Sequence, residues 1–139
     1  MATTVLYTPE VLGLATSLAA FPWDESLDLK AEARSKSCGS TIALGLALDG
    51  EGRIARTAIR SSACAIGQAA AAIFAAAAAG RSGEDIVSAE RAIAAWLSGD
   101  GPLPDWPGLE AIAAARDYPA RHGAIRLAWQ AALVLLPTG

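Results

Sequence analysis

The chain begins with hydrophobic residues at helical spacing. Thr8, Pro9 and Glu10 together predict a helix start, because a hydroxyl caps the first turn, proline fits its first position and an acidic residue suits the helix N-terminus. Pro22 is expected to end this helix near residue 21. The apolar residues that recur between these points are Val11, Leu14, Ala15 and Leu18.

The spacing of hydrophobic residues then changes to every second position, which is typical of strands with one buried face. Residues 27–34 and 42–48 both alternate in this way, and the segment DGEG at residues 49–52 predicts a tight turn into a third strand at residues 53–60. Strands joined by such short connections favour an antiparallel meander. On the first strand, the residues expected to face the core are Leu27, Leu29, Ala31 and Ala33.

An alanine-rich helix is predicted after the third strand. Residues 60–80, RSSACAIGQAAAAIFAAAAAG, pass from the strand through Cys64 into a run of strong helix formers. A further helix is expected from Ser82, with helical pieces at residues 109–115 and 120–136. The predicted fold class is therefore α+β, with a small three-stranded antiparallel sheet and helices packed on one of its faces.

Composition limits the classes of function. The 139 residues suit one domain spanning residues 1–139, and a net charge of -3 with 18% charged residues argues against nucleic-acid binding. Two cysteines are too few for a disulfide scaffold and suit thiols kept reduced in the cytoplasm, and the N-terminus lacks a signal-peptide pattern. The alanine-rich stretch is expected to be a buried helix and not a membrane span, because alanine inserts poorly and Gln68 interrupts the run.

Cys64 is a candidate for thiol chemistry because it lies at or just before the start of the alanine-rich helix. Backbone N–H groups point outward at a helix N-terminus, and the helix dipole there favours a thiolate. The alternative is that Cys64 is a small apolar residue in a tight corner of the fold. The local sequence leaves both interpretations open.

Three segments of the chain resemble the NifU/IscU/SufU-type iron–sulfur cluster assembly scaffolds, and within them the SufU-like branch. The segment SKSCGSTIALGLALDGEGRI is similar to the family's Cys-Gly-Asp segment and the two strands after it. The segment SSACAIGQAAAAIFAAAAAGRS is similar to its Gly-Cys-Ala-Ile-Ser segment and small-residue helix, and YPARHGAIRLAW to its Pro-Val-Arg-x-x-Cys-Ala-x-Leu-x-Trp segment. The three agree in order and spacing over residues 35–129.

The resemblance implies a metal-binding site. In such scaffolds three cysteine thiolates and the aspartate of the first segment surround a zinc ion or a nascent 2Fe–2S cluster, for which soft anionic sulfur is well suited. Cys38 and Cys64 are the implied ligands, and His122 is a weaker candidate. Two family ligands are replaced, the aspartate by Ser40 and the third cysteine by Ala124. The residues expected beside the site are Gly39, Ser40, Arg121 and Ala124.

Three functions remain open at this point. The chain is a cluster-assembly scaffold that carries an iron–sulfur cluster or zinc, a degenerate relative that keeps the fold and partner surface without the cargo, or a thiol protein that receives persulfide sulfur on Cys64. For the first two, the resemblance implies a cysteine desulfurase and iron–sulfur client proteins as partners. An enzyme is not expected, because the sequence lacks a Gly-x-Ser-x-Gly motif and a phosphate-binding loop.

Overall fold

The first helix begins at the predicted position. The computed structural model describes residues 7–36 and 39–136 of the chain. Helix α1, Pro9–Ser17, is capped by Thr8, whose hydroxyl oxygen accepts a hydrogen bond from the backbone N–H of Val11 at 3.1 Å. A 3-10 turn at Leu18–Ala20 extends it to the residue before Phe21. The predicted helix start and its proline-proximal end are both confirmed.

The sheet is the predicted antiparallel meander. Strands β1, β2 and β3 span Leu29–Arg34, Thr41–Leu48 and Ile54–Ser62, and they lie in the order β1-β2-β3. Both neighbouring pairs are antiparallel, with a register irregularity near the turn that joins β2 to β3. The α+β class with a three-stranded sheet is confirmed.

The two faces of the sheet differ in burial. Ile42, Leu44 and Leu46 on the central strand are almost completely buried and form the inner face. The prediction that Leu27 lies in the same inward row as Leu29 is wrong. Leu27 precedes β1 and packs over the outer face, where its Cδ1 would lie 3.1 Å from a Cβ added at Gly45. The missing side chain at Gly45 leaves the space that Leu27 fills.

Helices follow the sheet for the rest of the described chain. Helix α2 spans Ala65–Ala78 and helix α3 spans Gly83–Leu97, which begins with a capping box between Ser82 and Asp85. Two 3-10 helices follow, Leu109–Asp117 and Pro119–Arg121, and helix α4 spans His122–Leu135. The predicted short helix is therefore a 3-10 helix, and the predicted last helix begins two residues late because the segment from Pro119 forms a separate turn.

The helices pack on the inner face of the sheet. Helix α4 contacts β1 and β2, α2 contacts β3 and α4, and α1 and α3 cover this pair from outside. An aromatic cluster lies between the helices: Phe74 stacks on Trp106 at 5.7 Å between ring centroids, and Trp129 meets both rings edge-on. The indole N–H of Trp106 donates to the carbonyl oxygen of Ile73 at 2.9 Å. Over the described ranges, none of the helices has both the length and the hydropathy needed to cross a bilayer.

Candidate functional site at one end of the sheet

The sheet register brings two segments of the candidate site to the same end of the fold. Thr41, the first residue of β2, pairs with Ser62, the last residue of β3. Ser40 directly precedes Thr41, and Cys64 lies two residues after Ser62. The loop before β2 and the start of α2 therefore lie side by side, although they are far apart in sequence.

The loop before β2 is closed by backbone hydrogen bonds. The N–H of Ser35 donates to the carbonyl oxygen of Ser40 at 2.8 Å. The N–H of Gly39 donates to the carbonyl oxygen of Ser35 at 3.0 Å. Gly39 has a φ of 71°, a left-handed conformation that favours glycine. Ser40 is 3% exposed and Gly39 is exposed, so the family's aspartate position points into the protein at the foot of the loop. Cys38, the predicted first ligand, lies outside the described residues.

Cys64 occupies the N-cap position of α2. Its backbone is extended, with a φ of -64° and a ψ of 167°, and its carbonyl oxygen accepts the first helical hydrogen bond, from the N–H of Gln68 at 2.9 Å. The Gln68 side chain donates to the carbonyl oxygen of Ala63 at 3.0 Å, which holds the turn into the helix. Cys64 is half-buried and is a free thiol. The N–H groups of the first helical turn supply partial positive charge beside it.

Ala124 lies next to the start of α2. A Cβ added at Gly67 would stand 3.2 Å from the Cβ of Ala124 and 2.9 Å from that of Ala63. Gly67 is one turn after Cys64, so the position of the family's third cysteine lies close to the thiol-bearing turn. Ala124 itself is 2% exposed and carries no donor atom.

His122 and Arg121 lie at the start of α4. The His122 Nε2 lies 2.7 Å from the carbonyl oxygen of Arg116, and because a carbonyl only accepts, Nε2 carries the proton and donates. The Nδ1 atom is then the ring nitrogen with a lone pair, and a fixed ring orientation of this kind is common among metal-binding histidines. Arg121 ends the 3-10 turn before α4 and is half-buried.

The described donors do not complete a metal site. Across residues 7–36 and 39–136, no group of three or more His, Cys, Asp or Glu side chains is close enough to hold a metal ion. A closed zinc site takes four protein ligands. The thiol of Cys64 is one potential donor among the described residues, and a metal site there would require further donors.

A shallow depression of about 420 Å³ runs from this end onto the outer face of the sheet. Arg60, on its rim, stacks over the Trp23 ring at 4.6 Å from the ring centroid. Asp24, in the same loop as Trp23, pairs with Arg56 at 2.7 Å. Hydrogen bonds from the side chain and backbone of Ser26, and then from Arg56, lower the pKa of Asp24 to about 2. The residues that line the depression include Glu32, Arg34, Thr41, Ala43, Arg60 and Ser62.

The contact between positions 63 and 67 at the start of α2 was not predicted from the sequence. The family segment Gly-Cys-Ala-Ile-Ser corresponds here to Ala63-Cys64-Ala65-Ile66-Gly67. The first position is glycine in the family and alanine here, and the last position is serine in the family and glycine here. The two positions are in contact, since a Cβ added at Gly67 would lie 2.9 Å from the Cβ of Ala63. This paired change was visible in the sequence and would have indicated that the two ends of the segment touch.

Comparison with known proteins identifies relatives by structure. No protein-family model matches the chain, and no curated protein matches its sequence. The structure of a nitrogen-fixing NifU-like protein (N-terminal) from Brucella abortus is 27% identical, with a TM-score of 0.84 over 94% of this chain and 91% of that one. A putative iron–sulfur cluster assembly scaffold protein for the SUF system from Fervidobacterium islandicum AW-1 is 19% identical, with a TM-score of 0.83 over 95% and 97% of the two chains.

The fold is that of the cluster-assembly scaffolds. The similarity covers nearly the whole of each chain, and the second structure, at its lower identity, supports the fold alone. The resemblance to the NifU/IscU/SufU-type family that three sequence segments predicted is confirmed.

Proposed function

We propose that this protein is an iron–sulfur cluster assembly scaffold-like protein of one domain, which holds iron, zinc or a nascent cluster through the thiolates of Cys38 and Cys64. The observation that carries the proposal is the pairing of Thr41 with Ser62. It supports the proposal because the start of β2, which follows Cys38 in the sequence, lies beside the end of β3, which leads to Cys64, in a fold shared with a NifU-like protein and a putative scaffold protein.

The chemistry follows from the residues at this end of the sheet. Thiolates are soft anionic donors that bind zinc and iron tightly, and the first turn of α2 places partial positive charge beside the resulting anionic assembly. Ser40 and Ala124 replace two family ligands, so the chain alone supplies fewer protein donors than a closed site requires. Sulfide, a partner's side chain or water fills the remaining positions. Such a cargo is held weakly and is released readily to an acceptor.

The partners that suit this function are a cysteine desulfurase, which supplies sulfur, and iron–sulfur client proteins, which receive the cluster, all in the cytoplasm. The depression beside the site offers a surface for them, since Arg34 and Arg60 are among the residues that line it. The proposal involves neither nucleic acid nor a membrane.

A second candidate function is a relative that keeps the fold and the partner surface and carries no cargo. The burial of Ala124 against Gly67 favours it, because the third ligand is not merely displaced but replaced by a side chain that fits a close helix contact. His122 also uses Nε2 in a structural hydrogen bond, which leaves only Nδ1 for a ligand.

The test is the content of metal and acid-labile sulfide per chain, measured after anaerobic purification and again after reconstitution with iron and sulfide. The proposal predicts bound metal that is lost in Cys38→Ala and in Cys64→Ala and is retained in the matched control Ser62→Ala, which changes an exposed neighbour. Full metal content in both cysteine variants would contradict it. A folded wild-type protein without metal in either preparation would support the second candidate.

A further inference from the structure

The two edge strands of the sheet differ in the backbone hydrogen bonds that they make outside the sheet. Along β3, the N–H of Ile59 donates to the carbonyl oxygen of Phe21 at 2.9 Å, and Ile54 exchanges hydrogen bonds with the turn after α2. Strand β1 lies at the opposite edge and pairs with β2 on one side only. Among the described residues, no backbone hydrogen bond outside the sheet reaches Leu29–Arg34. An open edge of this kind can pair with another strand.

The charges on this edge alternate in sign along the outer face. Asp28 lies just before β1, and Lys30, Glu32 and Arg34 follow at every second residue, all exposed. Lys30 is paired with Glu25, its Nζ lying 3.2 Å from the Oε2. Within the described part of the chain, Asp28, Glu32 and Arg34 have no ion pair. The edge therefore carries charges in alternating order, of which Lys30 alone has an ion pair among the described residues.

This order is self-complementary in one antiparallel register. If a two-fold axis passes through Ala31, Lys30 faces Glu32 of a second copy and Asp28 faces its Arg34, and each pair occurs twice. A shift of two residues in one direction places Lys30 opposite Lys30, and in the other direction Glu32 opposite Glu32. Opposite charges at facing positions stabilise an antiparallel pair and like charges destabilise it, so the charges select the register centred on Ala31.

The same register matches the inner face. Leu29 faces Ala33 and Ala31 faces its own copy, and all three side chains are half-buried in the single chain. Their partial exposure lets a second strand cover them without placing charge against the core. The loop that leads into β1 crosses the outer face, where Leu27 covers Gly45, and it leaves the edge itself open.

We propose that two copies of this chain associate edge to edge through β1, antiparallel about Ala31, and so join their sheets into one continuous sheet. The inference is independent of the metal-binding proposal. Because the strands run in opposite directions, the loop after Arg34 in one copy lies at the opposite end of the interface from that loop in the other. The two candidate thiol sites then lie at opposite ends of the interface and neither copy supplies ligands to the other, while the strand pair covers the Glu32 and Arg34 side of each depression.

The association is weak and sensitive to salt, since it consists of one strand pair with exposed charges. Sedimentation velocity over micromolar to millimolar protein should show a dimer that grows with concentration and declines as salt is raised. Lys30→Glu and Glu32→Lys should each weaken it by roughly tenfold or more, because each change turns two facing attractive pairs into repulsive ones.

The two single variants provide the decisive control when they are mixed. Lys30→Glu carries acids at both positions and Glu32→Lys carries bases at both, so the mixture should dimerise although neither variant does so alone. The double variant Lys30→Glu/Glu32→Lys should recover the wild-type association. Circular dichroism verifies that each variant is folded. A wild-type chain that stays monomeric at all concentrations, or single variants that dimerise like the wild type, would overturn the proposal.

Discussion

Ala124 on α4 lies directly against Gly67 on α2. The absence of a side chain at Gly67 lets the two helices approach at this point, and a Cβ placed there would be 3.2 Å from the Ala124 Cβ. The contact fixes the start of α4 beside the turn that carries Cys64. It therefore determines how close position 124 lies to the candidate thiol ligand.

Gly67→Ala is expected to destabilise the protein. The new methyl group would meet the Cβ of Ala63 at 2.9 Å, and overpacking of this kind costs about 1–3 kcal/mol. Alanine regains up to about 1 kcal/mol through its higher helix propensity, so the net loss is smaller. Urea unfolding at neutral pH measures the difference.

The matched control for this substitution is Ala63→Gly/Gly67→Ala, which restores the small residue at the first position of the segment. It should be more stable than Gly67→Ala alone because the closest contact is removed. If the double variant is no more stable than the single one, the contact with Ala63 is not the source of the destabilisation.

A second prediction concerns the ion pair between α3 and α4. Glu90 is 9% exposed, and its Oε1 accepts hydrogen bonds from Nε and Nη2 of Arg126, the first at 2.8 Å. Arg126→Met should lower the free energy of unfolding by about 2 kcal/mol or more, because it leaves a buried carboxylate without its partner. Chemical denaturation provides the measurement.

Glu90→Gln/Arg126→Met tests the cause of that loss. If an unpaired charge is responsible, removing the charge as well should recover part of the stability, since a neutral amide is less costly to bury than a carboxylate. A double variant less stable than Arg126→Met would instead show that the Glu90 carboxylate is stabilised by other contacts.

The third prediction is that the stability of the folded protein decreases at acidic pH. The folded protein holds the pKa of Asp24 at about 2, chiefly through hydrogen bonds from Ser26 and then Arg56. The unfolded chain should have an ordinary aspartate pKa of about 4, so between these values it binds more protons than the folded protein does. The stabilisation is complete above about pH 4 and is lost as the pH falls towards 2.

Asp24→Asn should therefore lower stability at neutral pH and make it less dependent on pH between about 4 and 2. Thermal unfolding at a series of pH values measures both effects. Asp49 and Asp85, whose pKa values are also lowered by backbone hydrogen bonds, preserve part of the dependence in the variant. An unchanged slope in Asp24→Asn would show that Asp24 does not contribute.

Local sequence patterns were sufficient to predict most of the fold. The cap at Thr8, the capping box at Ser82, the alternation of Ile42, Leu44 and Leu46 and the position of Cys64 before α2 all depend on neighbours within a few residues. Such signals are read directly from one segment. The three-stranded order followed because short connections between strands restrict the possible pairings.

Features that depend on distant residues were not predicted. The burial of Glu90 depends on Arg126, and the position of Leu27 depends on a glycine in another strand. The Nε2 of His122 donates to the carbonyl oxygen of Arg116 in the 3-10 helix Leu109–Asp117, and hydrophobic periodicity does not reveal this contact. At the candidate site, the resemblance implied that Cys38 and Cys64 belong to one site, and the register of β2 with β3 brings the described parts of these two segments to the same end of the sheet.

The most direct test of the account restores the two replaced ligands. Positions 40, 64 and 124 converge if the sheet register and the contact of Ala124 with Gly67 are as described. The variant Ser40→Asp/Ala124→Cys should then bind about one zinc ion per chain, the stoichiometry of a tetrahedral site, as measured by metal titration. The same variant with Cys64→Ala should lose this zinc. If the restored variant binds no more zinc than the wild type, the three positions do not form one site.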